Sequence, residues 1–333
     1  MSKIKPSKGA PYARIMGVGG YRPTRVVPNE VILETIDSSD EWIRSRSGIA
    51  TRHWASDEET VAAMSVEASG KAIADAGIDP SQIGAVVVST VSHFKQTPAI
   101  ATEIAHRIGA GKPAAFDISA GCAGFGYGLT LAKGMIVEGS AQYVLVIGVE
   151  RLSDLTDLND RATAFLFGDG AGAVIVGPSD VPAIGPTVWG SEGDKSDTIK
   201  QTVAWDTFHA ERPEKFPAIT QEGQAVFRWA VFEMAKVAQQ ALDAAGIAPE
   251  DLDVFIPHQA NMRIIDSMVK TLKLPAHVTV ARDVETTGNT SAASIPLAME
   301  RLLATGQAKS GDTALVIGFG AGLVYAATVV TLP

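Results

Sequence analysis

Apolar residues fall into two alternating patterns along the chain. Short continuous runs rich in Val, Ile and Leu occupy 85–91, 114–118, 143–149 and 173–176, and again 253–257, 278–280, 313–318 and 324–330. Between them, apolar residues recur at helical spacing over 61–76, 100–108, 128–137, 225–245, 264–272 and 294–303. Runs without polar alternation predict strands covered on both faces. Their alternation with amphipathic helices predicts an α/β class.

The pattern repeats. DAGIDPSQIGAVVVST starts at Asp75 and DAAGIAPEDLDVFIPHQ at Asp243. Each reads as a helix end, a Gly stop, a Pro turn and a buried strand. A second echo sets GDGAGAVIV at Gly168 against GFGAGLVYA at Gly318. Two echoes in the same order predict a duplicated α/β unit. The expected organisation is a first half over 1–177, an insertion over 178–220 and a second half over 221–333. The insertion is rich in Pro, Gly, Asp and Lys and contains Trp189, Trp205 and Phe208. It reads either as a surface loop or as a segment lining a substrate entrance.

Composition narrows the partners. A net charge of -9 over 333 residues argues against nucleic acid, which needs a basic stripe. The start MSKIKPSKGA has no apolar core of signal-peptide length, and no apolar run is long enough to span a bilayer. The single cysteine, Cys122, cannot form an internal disulfide. Together these predict a soluble, cytoplasmic protein with one free thiol.

Cys122 lies in AAFDISAGCAGFGYGLTLAKGM, where an apolar strand runs through small residues into a helix. Small neighbours admit a substrate, and a helix start favours the thiolate. On these residues alone Cys122 is either a nucleophile or an inert buried thiol. His258 follows the strand DVFIP, at the strand end where α/β folds place ligands; it is a site residue or a hydrogen-bonded structural histidine. Asn289, in DVETTGNTSAASIPLAME, is a side-chain donor or a turn residue. The glycine clusters at Gly168 and Gly318 are followed by strands rather than helices, so they predict tight turns and no dinucleotide fingerprint. There is no Walker A string, and no Cys/His pairing has metal-site spacing.

Taken together, Cys122, HQAN at His258 and GNTSAASIP at Gly288 resemble the β-ketoacyl-acyl-carrier-protein synthase III family of the thiolase superfamily. The resemblance extends over nearly the whole chain, including SDEWIRSRSGI at Ser39, FGDGAGA at Phe167 and GFGAGL at Gly318. It implies a thiolase-like five-layered αβαβα fold with internally duplicated halves, usually a homodimer. It implies decarboxylative condensation of an acyl-CoA with malonyl-acyl-carrier-protein, starting fatty acid synthesis, with no metal or redox cofactor. Cys122 becomes the acyl-accepting nucleophile, with His258 and Asn289 completing a triad. The backbone N–H groups of Cys122 and Ala321 become the oxyanion hole; many relatives carry Gly at the second position, and a backbone donor tolerates the change.

By the same resemblance Trp42 and Arg161 stack on the adenine of coenzyme A, with Arg46 near the tunnel mouth and Phe319 beside the active site. Arg228, Arg263 and Lys270 would form a basic patch for an acidic carrier protein. Thr97 matches a pocket position supplied by the partner subunit, where some acetyl-restricted relatives carry Phe; the smaller residue implies room for branched starters. The absence of a second cysteine separates the chain from thiolases. A priming ketosynthase of a polyketide pathway, which shares the triad, is the alternative.

Overall fold

The computed structural model describes residues 4–333. Two mixed five-stranded sheets form the frame. The first holds β1 (Tyr12–Tyr21), β2 (Ile83–Ser89), β3 (Ala114–Ile118), β4 (Tyr143–Arg151) and β5 (Asp169–Ser179), in the order β1-β5-β4-β2-β3. The second holds β6 (Val188–Gly190), β7 (Val254–Pro257), β8 (Thr279–Val280), β9 (Thr313–Gly320) and β10 (Val324–Thr331), in the order β8-β7-β9-β10-β6.

The two orders are one topology used twice. In each sheet the second, third and fourth strands pair in parallel, and the fifth runs antiparallel to both the fourth and the first. The helices follow suit. Helix α1 (Asp40–Ser47) belongs to an added region. Then α2 (Val61–Ala76), α3 (Ile100–Arg107) and α4 (Gly124–Glu138) of the first half match α5 (Gly223–Ala245), α6 (Met262–Leu272) and α7 (Ser294–Ala304) of the second. The echo glycines Gly77 and Gly246 end α2 and α5 alike, at φ 64° and 68°, the left-handed conformation that glycine adopts without a Cβ clash.

Helices α4 and α7 share an apolar core with residues of both sheets, including Phe125, Leu129, Val146, Val174, Ile256, Ile295 and Val316. Helices α2 and α3 pack on the outer face of the first sheet, and α5 and α6 on that of the second. The result is the five-layered αβαβα arrangement. Central strands such as β4 are buried on both faces, as their continuous apolar runs predict. No helix among the described residues is long and apolar enough to cross a membrane.

Glycines did not all serve as turns. Gly322, at φ 76°, does form the β9–β10 turn, but Gly318 and Gly320 lie inside β9, and Gly170 and Gly172 lie inside β5. A Cβ on Gly172 would sit 2.6 Å from the ring of Pro296, so the bare backbone is what lets α7 press on the strand. The expectation of a turn at Gly168 is corrected on that ground.

Candidate active site

The duplication brings the two central helices' entry turns face to face. Cys122 lies in the one-turn 3-10 segment Gly121–Ala123 ahead of α4, and its counterpart Ser291–Ala293 leads into α7. Gly320, at the end of β9, fills the space beside the sulfur. A Cβ there would lie 2.9 Å from the Sγ, Cβ and N of Cys122, so glycine is required for the strand to approach the thiol.

Burial pushes the Cys122 thiol up to about 12, with the Ser291 side chain pulling it down and the Glu150 carboxylate pushing it up. The residue keeps some exposure, which opens onto the cavity rather than the outer surface. The expected favouring of the thiolate by the helix start is therefore outweighed by desolvation.

His258 follows β7 and is 2% exposed. Its N–H donates to Ile317 O at 2.7 Å. The next residue, Gln259, locks the turn by donating to Pro257 O and accepting from Val284 N–H. His258 Nδ1 lies 2.7 Å from Ser294 Oγ. Gln259 N–H donates to that same oxygen, and Ser294 keeps its own hydrogen to give to Nδ1, the tautomer in which the ring proton sits on Nε2. Burial lowers the imidazole to about 3, so the ring is neutral near pH 7, and in that tautomer Nε2–H is its free donor.

Asn289 is pinned by its backbone, which bonds Leu166 O and Gly168 N–H. Its Oδ1 accepts the Ser291 N–H at 2.9 Å, so the other end of the amide, Nδ2, is the donor. Buried Arg52 braces this corner by donating to Val27 O, Asn29 Oδ1 and Phe165 O.

Cys122, His258, Asn289, Phe319 and Ala321 line one cavity of about 480 Å³, within the size range of small-molecule sites. Phe319 stands edge-on to His258, with ring centroids 5.3 Å apart. Strand residues Ile199, Lys200 and Gln201 and helix residue Trp205, all from the 178–220 segment, line it too. A second, adjoining pocket shares Gln221, Val226, Ala260, Ile264 and Asn289 with the first. It is lined by Trp42, Arg46, Arg228 and Arg263. The Arg161 guanidinium covers the Trp42 ring at 4.8 Å, and Arg46 approaches it at 5.9 Å. Arg263 covers Phe227 at 4.8 Å.

Family models for 3-oxoacyl-[acyl-carrier-protein] synthase III match residues 116–193 and, for its C-terminal part, 242–332. The chain is 86% identical to beta-ketoacyl-[acyl-carrier-protein] synthase III 1 of Streptomyces coelicolor, with both chains fully covered. The chain belongs to the β-ketoacyl-acyl-carrier-protein synthase III family. It is an acyl-transferring condensing enzyme. Identity to the mycobacterial β-ketoacyl-acyl-carrier-protein synthase III of Mycobacterium marinum is 55%, covering 100% of this chain and 99% of the relative. The structure of the priming β-ketosynthase of the R1128 polyketide pathway superposes with a TM-score of 0.97 at 46% identity, covering 100% of this chain and 99% of that one. Synthase III of Aquifex aeolicus superposes at 0.88 with 36% identity, covering 96% and 99%.

Three expected residues line neither cavity: Thr97, Lys270 and Arg161, the last meeting the second cavity only through its contact with Trp42. Thr97 is exposed, on the loop between β2 and α3, and does not line the cavity of its own chain. Lys270 is exposed in the last turn of α6 and lines neither pocket.

Sequence reasoning missed Ser294, Ser291 and Glu150. Glu150 is fully buried at the end of β4. Its carboxylate accepts from Ser92 Oγ at 2.6 Å, Val91 N–H at 3.1 Å and Thr90 Oγ1 at 3.3 Å. Burial lifts it to about 7, opposed by these donors and by the Ser291 side chain. A lone acid closing an apolar run, in YVLVIGVE, was the available signal. Ser291 holds φ 47°, against 48° at Gly121 in the matching turn. A non-glycine residue there costs ~1 kcal/mol or more.

Proposed function

We propose that Cys122, His258 and Asn289 carry the family's decarboxylative condensation, joining an acyl-CoA starter to malonyl-acyl-carrier-protein. The observation that carries this reading is the convergence, in one cavity, of the only thiol with two donors whose other ends are already committed. Cys122 takes the acyl group from coenzyme A. Malonyl-acyl-carrier-protein then loses CO₂, and the negative charge gathers on its thioester oxygen. His258 Nε2–H and Asn289 Nδ2–H donate to that oxygen. The resulting carbanion attacks the acyl-Cys carbonyl, whose developing oxyanion is met by the backbone N–H groups of Cys122 and Ala321. A neutral histidine suits this role: it donates without needing to gain a proton, and CO₂ loss supplies the carbanion without a strong base. The chemistry needs no resident metal or redox cofactor; coenzyme A enters as a substrate.

On this reading Trp42 and Arg161 hold the nucleotide end of coenzyme A, with Arg46 at the mouth and Phe319 walling the reacting end. Arg228, Arg263 and Lys270 receive the acidic carrier protein. The protein works in the cytoplasm as a homodimer, with Thr97 reaching the partner's acyl pocket. The halves 1–177 and 221–333 carry the two copies of an ancestral unit, a division supported by the repeated topology, while 178–220 connects them and supplies β6 to the second sheet. The likeness to a priming β-ketosynthase supports the second reading, a polyketide starter role with the same triad; turnover with fatty acid versus polyketide carrier proteins separates the two.

Partial reactions test the assignment. Cys122→Ser should lose acylation and condensation together. His258→Ala and Asn289→Ala should still acylate Cys122 but lose ~10²–10³ in malonyl-acyl-carrier-protein decarboxylation, the usual loss for one preorganised donor. Decarboxylation at the parent rate in either alanine variant overturns the assignment.

A further inference from the structure

Glu150 and Ser291 are not explained by packing alone. The carboxylate's closest donors are the hydroxyls of Ser92 and Thr90 and one amide, all neutral, with no ion pair to it among the described residues. A buried acid without a cation is costly to charge, and groups perturbed in this way cluster at functional sites. Ser291 lines the cavity together with Cys122 and with Thr90 and Val91, two of the residues that donate to the Glu150 carboxylate, and its side chain lowers the proton affinity of both the carboxylate and the thiol. The placement depends on Gly148, two residues before Glu150. A Cβ there would lie 2.1 Å from Ala292 O, so only glycine lets the 291–293 turn lie on β4. In the matching turn of the first half the same left-handed position is glycine; here it is a serine.

We propose that Ser291 and Glu150 carry the proton of the Cys122 thiol through the catalytic cycle. The inference rests on Cys122 being the acyl acceptor. As the sulfur bonds to the acyl carbon, its proton passes to Ser291 Oγ while Ser291 passes its own proton to a Glu150 oxygen. The C–S bond to coenzyme A breaks with its electron pair on the departing sulfur, which takes a proton from solvent. In the condensation step the acyl-Cys C–S bond breaks towards Cys122, and the thiolate recovers its proton from Ser291, which recovers one from Glu150. One solvent proton is consumed per turnover, as loss of CO₂ from a malonyl carboxylate requires. Glu150 acts through Ser291 and is a positioning and proton-holding residue.

The surroundings suit this use. Glu150 is held near neutrality, where it both accepts and releases a proton. Other charged groups nearby are committed elsewhere. Arg151 pairs with Asp154 and Asp57. Asp169 of β5 accepts from Ser153 and Ala55 N–H. Asp117 of β3 accepts the N–H groups of Ile100 and Ala101 at the start of α3. His258, approaching the cavity from the second half, is kept neutral by burial. The Cys122 thiol is the titratable group that acts on Glu150's side of the cavity.

The test is single-turnover acylation of the full chain by acetyl-CoA and isobutyryl-CoA between pH 5.5 and 8.5, read by intact mass and mapped to a peptide. The parent rate should rise along a limb centred near pH 7. Glu150→Gln should abolish that limb and slow acylation at pH 8 by about 10²-fold, the low end of general base effects. Ser291→Ala should do the same, and the double variant should be no slower than either single one, because both interrupt one route. Should Glu150→Gln fail to fold, Ser291→Ala carries the test on its own pH profile. Acylation of Cys122 with the parent's rate and pH limb in both variants overturns the proton route and leaves the nucleophile standing. An acyl group mapped to any residue other than Cys122 overturns both.

Discussion

Replacing Ser294 by alanine isolates the role of the histidine's tautomer. Ser294 and His258 are 1% and 2% exposed, and the bond between Ser294 Oγ and Nδ1 is 2.7 Å long. Alanine removes the hydroxyl that saturates Nδ1 and also the oxygen that receives Gln259 N–H. Leaving a buried polar atom unpaired costs ~1–3 kcal/mol, a cost the ring can relieve by moving its proton to Nδ1 or by turning. Either relief withdraws Nε2–H from the substrate oxygen. Since about 1.4 kcal/mol is tenfold in rate, decarboxylation should fall ~10- to 100-fold. Acylation of Cys122, which does not use that donor, should change less than about threefold. The assay is CO₂ release from malonyl-acyl-carrier-protein, run beside acylation by intact mass. Ser294→Thr, which keeps a hydroxyl, should recover much of the loss. Parent-rate CO₂ release from Ser294→Ala would refute the claim that this hydroxyl sets the donor, and an equal loss in both steps would point to a general distortion of the site.

Three other outcomes follow from named contacts. Glu150 has a raised folded pKa, so its contribution to stability is fully present below its unfolded value of about 4.5 and is lost as pH rises through about 7. Denaturant melts should show the parent losing up to about 3 kcal/mol over that window relative to Glu150→Gln; parallel pH curves would contradict the burial argument. Trp42→Ala removes the ring beneath Arg161, a contact of ~1 kcal/mol, and should raise KM for acyl-CoA about fivefold while leaving kcat nearly intact; a kcat loss without a KM change would exclude a binding role. Thr97→Phe should shift preference from isobutyryl-CoA towards acetyl-CoA in competition assays, and an unchanged ratio would remove Thr97 from the pocket.

Legibility in the sequence tracked how directly a residue's neighbours are local. The helix Val61–Ala76 with its Gly77 stop, and the strand Ala114–Ile118, follow from periodicity and capping alone. Strand Tyr12–Tyr21, YARIMGVGGY, is not legible, because Gly17, Gly19 and Gly20 interrupt its apolar positions. Gly17 and Gly19 are there because α2 lies across the strand: a Cβ on Gly19 would sit 2.2 Å from Ala68 O, a constraint from 49 residues away (68 − 19) that leaves no periodic trace. The strand–turn–helix setting of Cys122 was visible locally. The likeness of its turn to 291–293 was not, since the two turns share topology and φ rather than letters. Glu150 was hidden for the same reason. Its meaning depends on Ser291, which arrives from the other half through a gap left by Gly148.

The acyl-enzyme itself is the most direct test of the account. After brief exposure to an acyl-CoA and acid quenching, peptide mass spectrometry should find the acyl mass on the peptide containing Cys122. The adduct should disappear when malonyl-acyl-carrier-protein is added, as 3-oxoacyl-acyl-carrier-protein forms in equal amount. A protein that forms that product while Cys122 stays unmodified, or after Cys122→Ala, would contradict the claim that the chemistry runs through this thiol.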